Sequence, residues 1–394
     1  MPQADANLTS LAFWEESTYG TAATGGPDFK NIRFTSESFR QETATTQSSE
    51  IRTDRQVSDV IRTSISVSGD VGIELSYGQF DLWMEAGLLS GDWTGSATVD
   101  GADTAVSAVA SDNSYNHTSA WAANPSIGDW IYVSGFTGNT ANNGYSRVTA
   151  VTGTKITVDH KTLVDDAAGE AVTIKTLDYV RNGTELRPFN IEREYTDVSN
   201  EFVQFLGMAI DSWSLTMSAD SIVTGSFSWL GKSETSATST LGDGANSDAF
   251  TSTVMNSIDN VSGFFENGAS FDITAFSLNV SNNLRTRQQV GTLGAISVGK
   301  GTSNVSGSLS CYFSAKALYD KYLNFTTTSL TLILEDSAGQ AYVIFLPKVK
   351  LTSGARAAGG QNTDVIQEVS FEAFRDTTSG RPDMTLEINR WPGS

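Results

Sequence analysis

A mainly β chain is predicted, and three observations predict it. Glycine outnumbers proline 35 to 7 in 394 residues, which with abundant Ser and Thr favours strands joined by tight turns. Long A/E/K/L/R-rich stretches with a 3.6-residue period are nearly absent, so long helices are not expected. Runs of period-2 alternation recur along the chain, as strands with one buried face require. The length allows two or three domains, each with its own core.

Internal similarity points to a duplication. Residues 51–57 read Ile-Arg-Thr-Asp-Arg-Gln-Val, and residues 284–290 read Leu-Arg-Thr-Arg-Gln-Gln-Val. A strand with a central glycine follows each: Ile65 to Leu75 around Gly69, and Asn304 to Phe313 around Gly307. Each strand then runs into a helix-like patch. Phe80, Leu82, Trp83 and Met84 mark the first, and Leu318, Tyr319, Tyr322 and Leu323 the second. Their i, i+3 and i+4 spacings put them on one face of a short helix that would cover a sheet. Runs of alternating strands close both copies, ending in the second with MTLEINRW.

Between about residues 93 and 180 the first copy is interrupted. Gly128-Asp129-Trp130 opens an alternating run, and Asn142-Asn143-Gly144 precedes another. Asn-Gly between two such runs is a strong hairpin signal. Several short strands in so few residues suggest a small β-domain inserted at a surface loop. The predicted organisation is 1–92 with 181–232 as a split first repeat, 93–180 as the insert, 233–265 as a linker, and 266–394 as the second repeat.

Charge and composition limit the function. The net charge is −20, from 45 acidic and 25 basic residues. A chain this acidic should repel nucleic acid, since phosphate binding draws on clustered Lys and Arg. The acidity either keeps a β-rich protein soluble or forms a surface that DNA passes without sticking. One cysteine, Cys311, excludes an intrachain disulfide. The N-terminal MPQADANLTS shows no leader, and no run approaches the roughly 18 apolar residues of a membrane span.

Catalytic chemistry has little to stand on. The two histidines, His117 and His160, both fall in the insert. No Gly-x-Ser-x-Gly elbow, zinc-ligand spacing or phosphate-binding Gly-rich loop is present. No catalytic residue, cofactor or metal ligand is therefore assigned. A carboxylate pair for glycoside hydrolysis stays open only because acidic residues are so many. Arg52, Arg55, Arg285 and Arg287 read either as solvated loop charges or as partners for the carboxylates of a neighbouring subunit. The tryptophans read as core or interface anchors.

The chain resembles a known family. Glu15-Glu16-Ser17-Thr18-Tyr19-Gly20-Thr21, Ser49 to Gln56, Ser68-Gly69, Tyr77 to Asp81, Gly207 to Leu215, Val223 to Phe227, Asn282 to Arg285, Val305 to Leu309 and Leu346 to Val349 are similar, in that order, to major tail tube proteins of long-tailed, siphovirus-like bacteriophages. The resemblance implies a duplicated sheet-and-helix tube fold without enzymatic activity, whose subunits form stacked rings around a conduit for genome ejection. With two copies per chain, three chains per ring are expected. The implied partners are further copies of the chain and the tape measure, terminator and distal tail proteins. DNA would pass the lumen without specific binding, and no membrane is involved. The implied location is the virion tail, assembled in the host bacterial cytoplasm. Asp70, Glu74, Ser308 and Ser310 are the expected lumen residues. Arg52, Asp54, Arg55, Arg285 and Arg287 are the expected inter-ring loop residues. The insert is similar to outward-facing decorations. A competing reading is a cell-surface or glycan-binding β-module, with Trp121, Trp130 and Tyr132 as exposed aromatics.

Overall fold

A computed structural model describes residues 3–199, 201–314, 316–357, 360–377 and 384–393. The chain is mainly β, as expected. Its frame is an eight-stranded sheet of β1 (Arg40–Gln47), β2 (Val60–Glu74), β3 (Phe202–Ser218), β4 (Thr224–Gly231), β5 (Ala275–Ser281), β6 (Asn304–Tyr312), β7 (Ala341–Leu351) and β8 (Ile366–Ala373). The order in space is β1-β2-β4-β3-β5-β6-β8-β7, every neighbouring pair antiparallel.

That order contains the same arrangement twice. β1-β2-β4-β3 is repeated by β5-β6-β8-β7, and Gly69 faces Trp229 as Gly307 faces Phe371. A bulge recurs at the same place. Ile210 and Ser212 of β3 pair with Trp229 and Ser228, one residue being left over. Leu351 pairs with Phe371 and Ala355 with Glu368, again with one left over, so Ala355–Ala357 continues β7 beyond its own bulge. The two halves join where Ser212–Ser218 pairs with Ala275–Ser281.

The central glycines are explained by close approach of the neighbouring strand. A Cβ on Gly69 would lie 2.6 Å from the Phe39 Cα, and one on Gly307 would lie 2.0 Å from the Ser277 carbonyl oxygen. After β2 and β6 come the short helices α1 (Asp81–Gly87) and α2 (Ala317–Leu323). Helices this short hold only through packing. In α1, Trp83 meets Phe13, Phe227 and Trp229 edge-on. α2 is shallower, with Leu318 its fully buried residue.

A second layer covers the inner face of the sheet. The first half of β3 pairs with Phe189–Tyr195 and Ser233–Ala237, while β7 pairs with Thr327–Glu335 over almost its whole length and with Glu387–Trp391 over its first half. One hydrophobic core runs through both halves, from Leu11 and Phe39 to Val369 and Ile388. The stretch expected to be a linker carries two of these second-layer strands, Ser233–Ala237 and Val261–Glu266. The polar composition of Ser233–Ala237 reflects its half-exposed place.

The insert is a seven-stranded sheet between Thr98 and Thr176 with its own core, including Val99, Tyr115, Ile131, Val148 and Ile174. Leu177 marks the change of sheet, since Asp178–Arg181 pairs with Glu387–Trp391. The hairpin expected around Asn-Gly is present, Trp130–Ser134 pairing with Gly144–Thr152. Its turn is the longer loop 135–143, however. The Asn143 side chain bridges that loop, accepting from the Phe136 N–H (2.9 Å) and donating to the Phe136 carbonyl (2.8 Å).

Candidate assembly surfaces

Alternation along each strand gives the sheet one face in the core and one toward solvent. Val67, Val71 and Ile73 of β2 point inward, while Ser66, Asp70 and Glu74 point outward. Ser308 and Ser310 of β6 share that outer face, opposite Ser277 and Ala275 of β5. Asp70 and Ser308 hold equivalent places, each facing a serine, Ser228 or Ser370. The middle of the face is hydroxyl-rich. Ser212, Ser214, Thr216 and Ser218 of β3 lie beside Ser226 and Ser228 of β4 and Ser277, Asn279 and Ser281 of β5. Hydroxyls pair across it, Ser214 with Ser226 at 3.0 Å and Ser277 with Ser308 at 2.8 Å. Charges sit toward the flanks, with Arg40, Glu42, Asp70 and Glu74 on one side and Lys350, Glu368 and Glu372 on the other.

Two long loops leave one rim. β1 and β5 lie four antiparallel steps apart and so run in the same direction, which places loops 48–59 and 282–303 at the same end of the sheet. Arg52 and Asp54 pair with each other in the first loop (2.8 Å), and Arg55 follows with a positive φ of 61°. Arg285 and Arg287 lie in a small strand paired with Ser297–Gly299, and Arg285 donates to the Lys300 carbonyl (3.3 Å). All five residues are exposed. Apolar residues accompany them, with Ile51 and Val290 fully exposed.

A cleft of roughly 610 Å³ is lined by Asp81, Glu85, Arg187 and Arg390. Asp81, Glu85 and the neighbouring Asp92 are each committed to an arginine. Arg187 binds Glu15 (2.7 Å), Glu85 (2.6 Å) and Asp92 (2.7 Å). Arg390 binds Asp178 (2.7 Å) and also Asp81. Burial pushes Glu85 up to about 7, with Arg187 pulling the other way. Burial also raises Asp81, against Arg390 and a hydrogen bond from Tyr342. These networks tie α1 to both halves of the chain and leave neither carboxylate poised for chemistry.

In the insert, Asp100, Asp103 and His117 come together, a grouping hidden in the sequence because its members belong to two different strands. The Ser119 N–H donates to His117 Nδ1 at 3.0 Å, which leaves the ring proton of a neutral His117 on Nε2, facing the Asp103 carboxylate at 3.2 Å. A donor facing two carboxylates is a clasp for the turn rather than a ligand set with a free lone pair. Ser119 Oγ, 3.2 Å from Nδ1, competes there with its own backbone N–H. The aromatics expected to be exposed are used in packing: Trp121 and Trp130 are buried, and Tyr132 stacks on Trp391 at 4.8 Å. The insert therefore loses the aromatic platform that a glycan-binding reading needs.

What remains is a molecule whose exposed features are a sheet face, two sheet edges and a rim of loops. A family model described as phage tail tube protein matches residues 6–373. The chain belongs to that family. No curated protein matches it. It is a structural component of the virion tail, of a family that is not an enzyme family and whose members assemble with themselves and other tail proteins. Among the described residues no helix is long and apolar enough to cross a membrane.

Proposed function

We propose that this tail tube protein closes into rings of three chains, which stack into the conduit through which the phage genome leaves. The observation that carries the reading is the internal β3–β5 joint. Within one chain it already shows two repeats meeting edge to edge. Eight alternating strands leave β1 and β7 antiparallel to each other at the two ends, so a second copy can be added head to tail without breaking the pattern. Such heterologous contacts close only at a particular copy number.

Size favours three. At about 4.8 Å per strand and a tilt of about 40°, 24 strands give a barrel roughly 48 Å across, or about 38 Å between side-chain tips. Two chains would leave about 22 Å by the same estimate, too tight for a hydrated duplex. The hydroxyl-rich face would line the bore. Its cations sit beside carboxylates, Arg40 paired with Glu42 and Lys350 opposite Glu372, and Asp70, Glu74 and Glu368 add repulsion at its flanks. The insert packs on the opposite side of the core and would face outward. Loops 48–59 and 282–303 would reach the next ring through Arg52, Asp54, Arg55, Arg285 and Arg287. Assembly in the host cytoplasm, with the tape measure, terminator and distal tail proteins as partners, follows from this reading.

Negative-stain microscopy of the purified chain tests it. Hollow tubes or rings are the expected result. A protein that stays monomeric at every concentration and with tail partners added contradicts it.

A further inference from the structure

We propose that the outer edge of β1 at Phe39–Gln41 receives the Gly354–Ala357 segment of the next copy in the register of the internal joint, and that Glu37, Arg193 and Glu234 cap that edge until it is joined. The inference rests on the ring reading above.

The register follows from equivalence. Arg40 pairs with Ser68 beside Gly69 as Asn279 pairs with Ser306 beside Gly307, so Phe39 corresponds to Leu278 and Gln41 to Val280. Past the shared bulge, Ala355 pairs with Glu368 as Ser214 pairs with Ser226, so Arg356 corresponds to Leu215. In the internal joint Ser214 faces Asn279 and Leu215 faces Leu278. Between chains, Ala355 then faces Arg40 and Arg356 faces Phe39.

The backbone phase agrees. The Asn282 N–H donates to the Asp211 carbonyl at 2.7 Å, which makes Ser212–Ser281 a non-hydrogen-bonded pair and sends the backbone groups of Val280 and Leu278 toward β3. Just before β1 the Ser38 N–H donates to the Asp70 carbonyl at 3.0 Å, so Ser38 and Arg40 bond inward. Phe39 and Gln41 point their backbone groups outward. Those groups are taken by side chains: the Phe39 N–H by Glu37 (3.0 Å), the Phe39 carbonyl by Arg193 (2.8 Å) and the Gln41 N–H by Glu234 (2.6 Å). Arg193 also pairs with Glu37 at 2.6 Å. The same two backbone positions thus occur twice in one molecule, joined at Leu278 and Val280 and capped at Phe39 and Gln41. An uncapped edge invites uncontrolled pairing. These caps, Arg193 and Glu234 from the second layer and Glu37 from just before β1, satisfy it in the free chain and can be exchanged for a strand.

The test uses the full-length chain with Arg40→Cys and Ala355→Cys, polymerised and then oxidised. A non-hydrogen-bonded pair brings Cα atoms to about 4.5 Å, within disulfide reach, and Cys311 is buried. Interchain dimers and a closed three-chain species on a non-reducing gel are expected, with none from Ser38→Cys and Ala355→Cys, two residues out of register. Tubes that form without the in-register cross-link overturn the inference and leave the ring reading standing; absence of tubes from the unmodified chain strikes the ring reading itself. Should the double variant fail to assemble, hydrogen exchange on the unmodified protein decides. The Arg356 amide exchanges quickly in the monomer and becomes protected in the tube, and equal exchange in both overturns the register. The caps have their own readout: Glu234→Ala shortens the polymerisation lag several-fold by light scattering, and an unchanged or longer lag shows that they do not hold the edge.

Discussion

Glu16 shows what a single residue in a family-like motif contributes. It is buried just after the strand Thr9–Glu15 and accepts from the backbone N–H groups of Gly207 (2.6 Å) and Gly20 (2.5 Å) and from the Asn190 amide. Gly207 sits at a positive φ of 67°, where a Cβ would meet Lys232 and Tyr19 at about 3 Å, so glycine is required at this knot. Burial raises Glu16 to about 7, against the pull of those donors. A carboxyl whose folded pKa is raised takes up a proton on folding. Its contribution is complete below about 4.5 and is lost as pH rises through about 7. The melting temperature should therefore fall between pH 4.5 and pH 8, and fall less in Glu16→Gln, the rest of the slope belonging to Glu85. Parallel curves for the two proteins would show that Glu16 does not carry the effect. In the sequence this residue was visible only as part of an N-terminal similarity. Its donors come from residues 20, 190 and 207, which no local pattern connects.

At the scale of elements, much was legible. The Gly-centred strands, both short helices and the insert's strands follow from alternation and i, i+3, i+4 spacing. The contact between insert and second repeat does not. Ala341-Tyr342-Val343-Ile344-Phe345-Leu346 is continuously apolar, and all six residues are buried, the pattern of a strand covered on both faces. The insert supplies the second cover. Trp130 lies edge-on to Phe345 (5.8 Å), and Trp130, Tyr145 and Leu177 share a cluster with Ile333, Val343 and Trp391. His160 approaches the Thr331 hydroxyl at 3.0 Å. The register of the first repeat places Gln204 where the second has Phe345, and Gln204 there donates to Glu192 (3.1 Å). An insert excised at its boundaries would thus uncover an apolar face. Trp130→Ala should cost about 3–5 kcal/mol in urea unfolding, the range for emptying a large buried aromatic site. A cost below about 1 kcal/mol would mean that the contact is incidental. The chain with residues 98–176 replaced by a short Gly-Ser linker should bind a hydrophobic dye, and replacing Phe345 and Val343 with Gln should relieve that binding.

For the whole molecule, the duplication is what the sequence reveals and the joint is what it conceals. A repeated motif gives two copies, but the pairing of β3 with β5 is set by side-chain layers that alternation alone does not order. In the proposed ring that joint makes the chain a two-repeat segment of a larger sheet, with its end strands β1 and β7 antiparallel to each other. Three such segments are proposed to close one ring. Cryo-EM of assembled tubes tests it most directly. The expected result is three chains per ring, a pseudo-sixfold wall of about 24 strands, Ser214, Asn279 and Ser308 facing the bore, and the insert outside. Rings of six full-length chains, or a wall whose hydroxyl face looks outward, would contradict it.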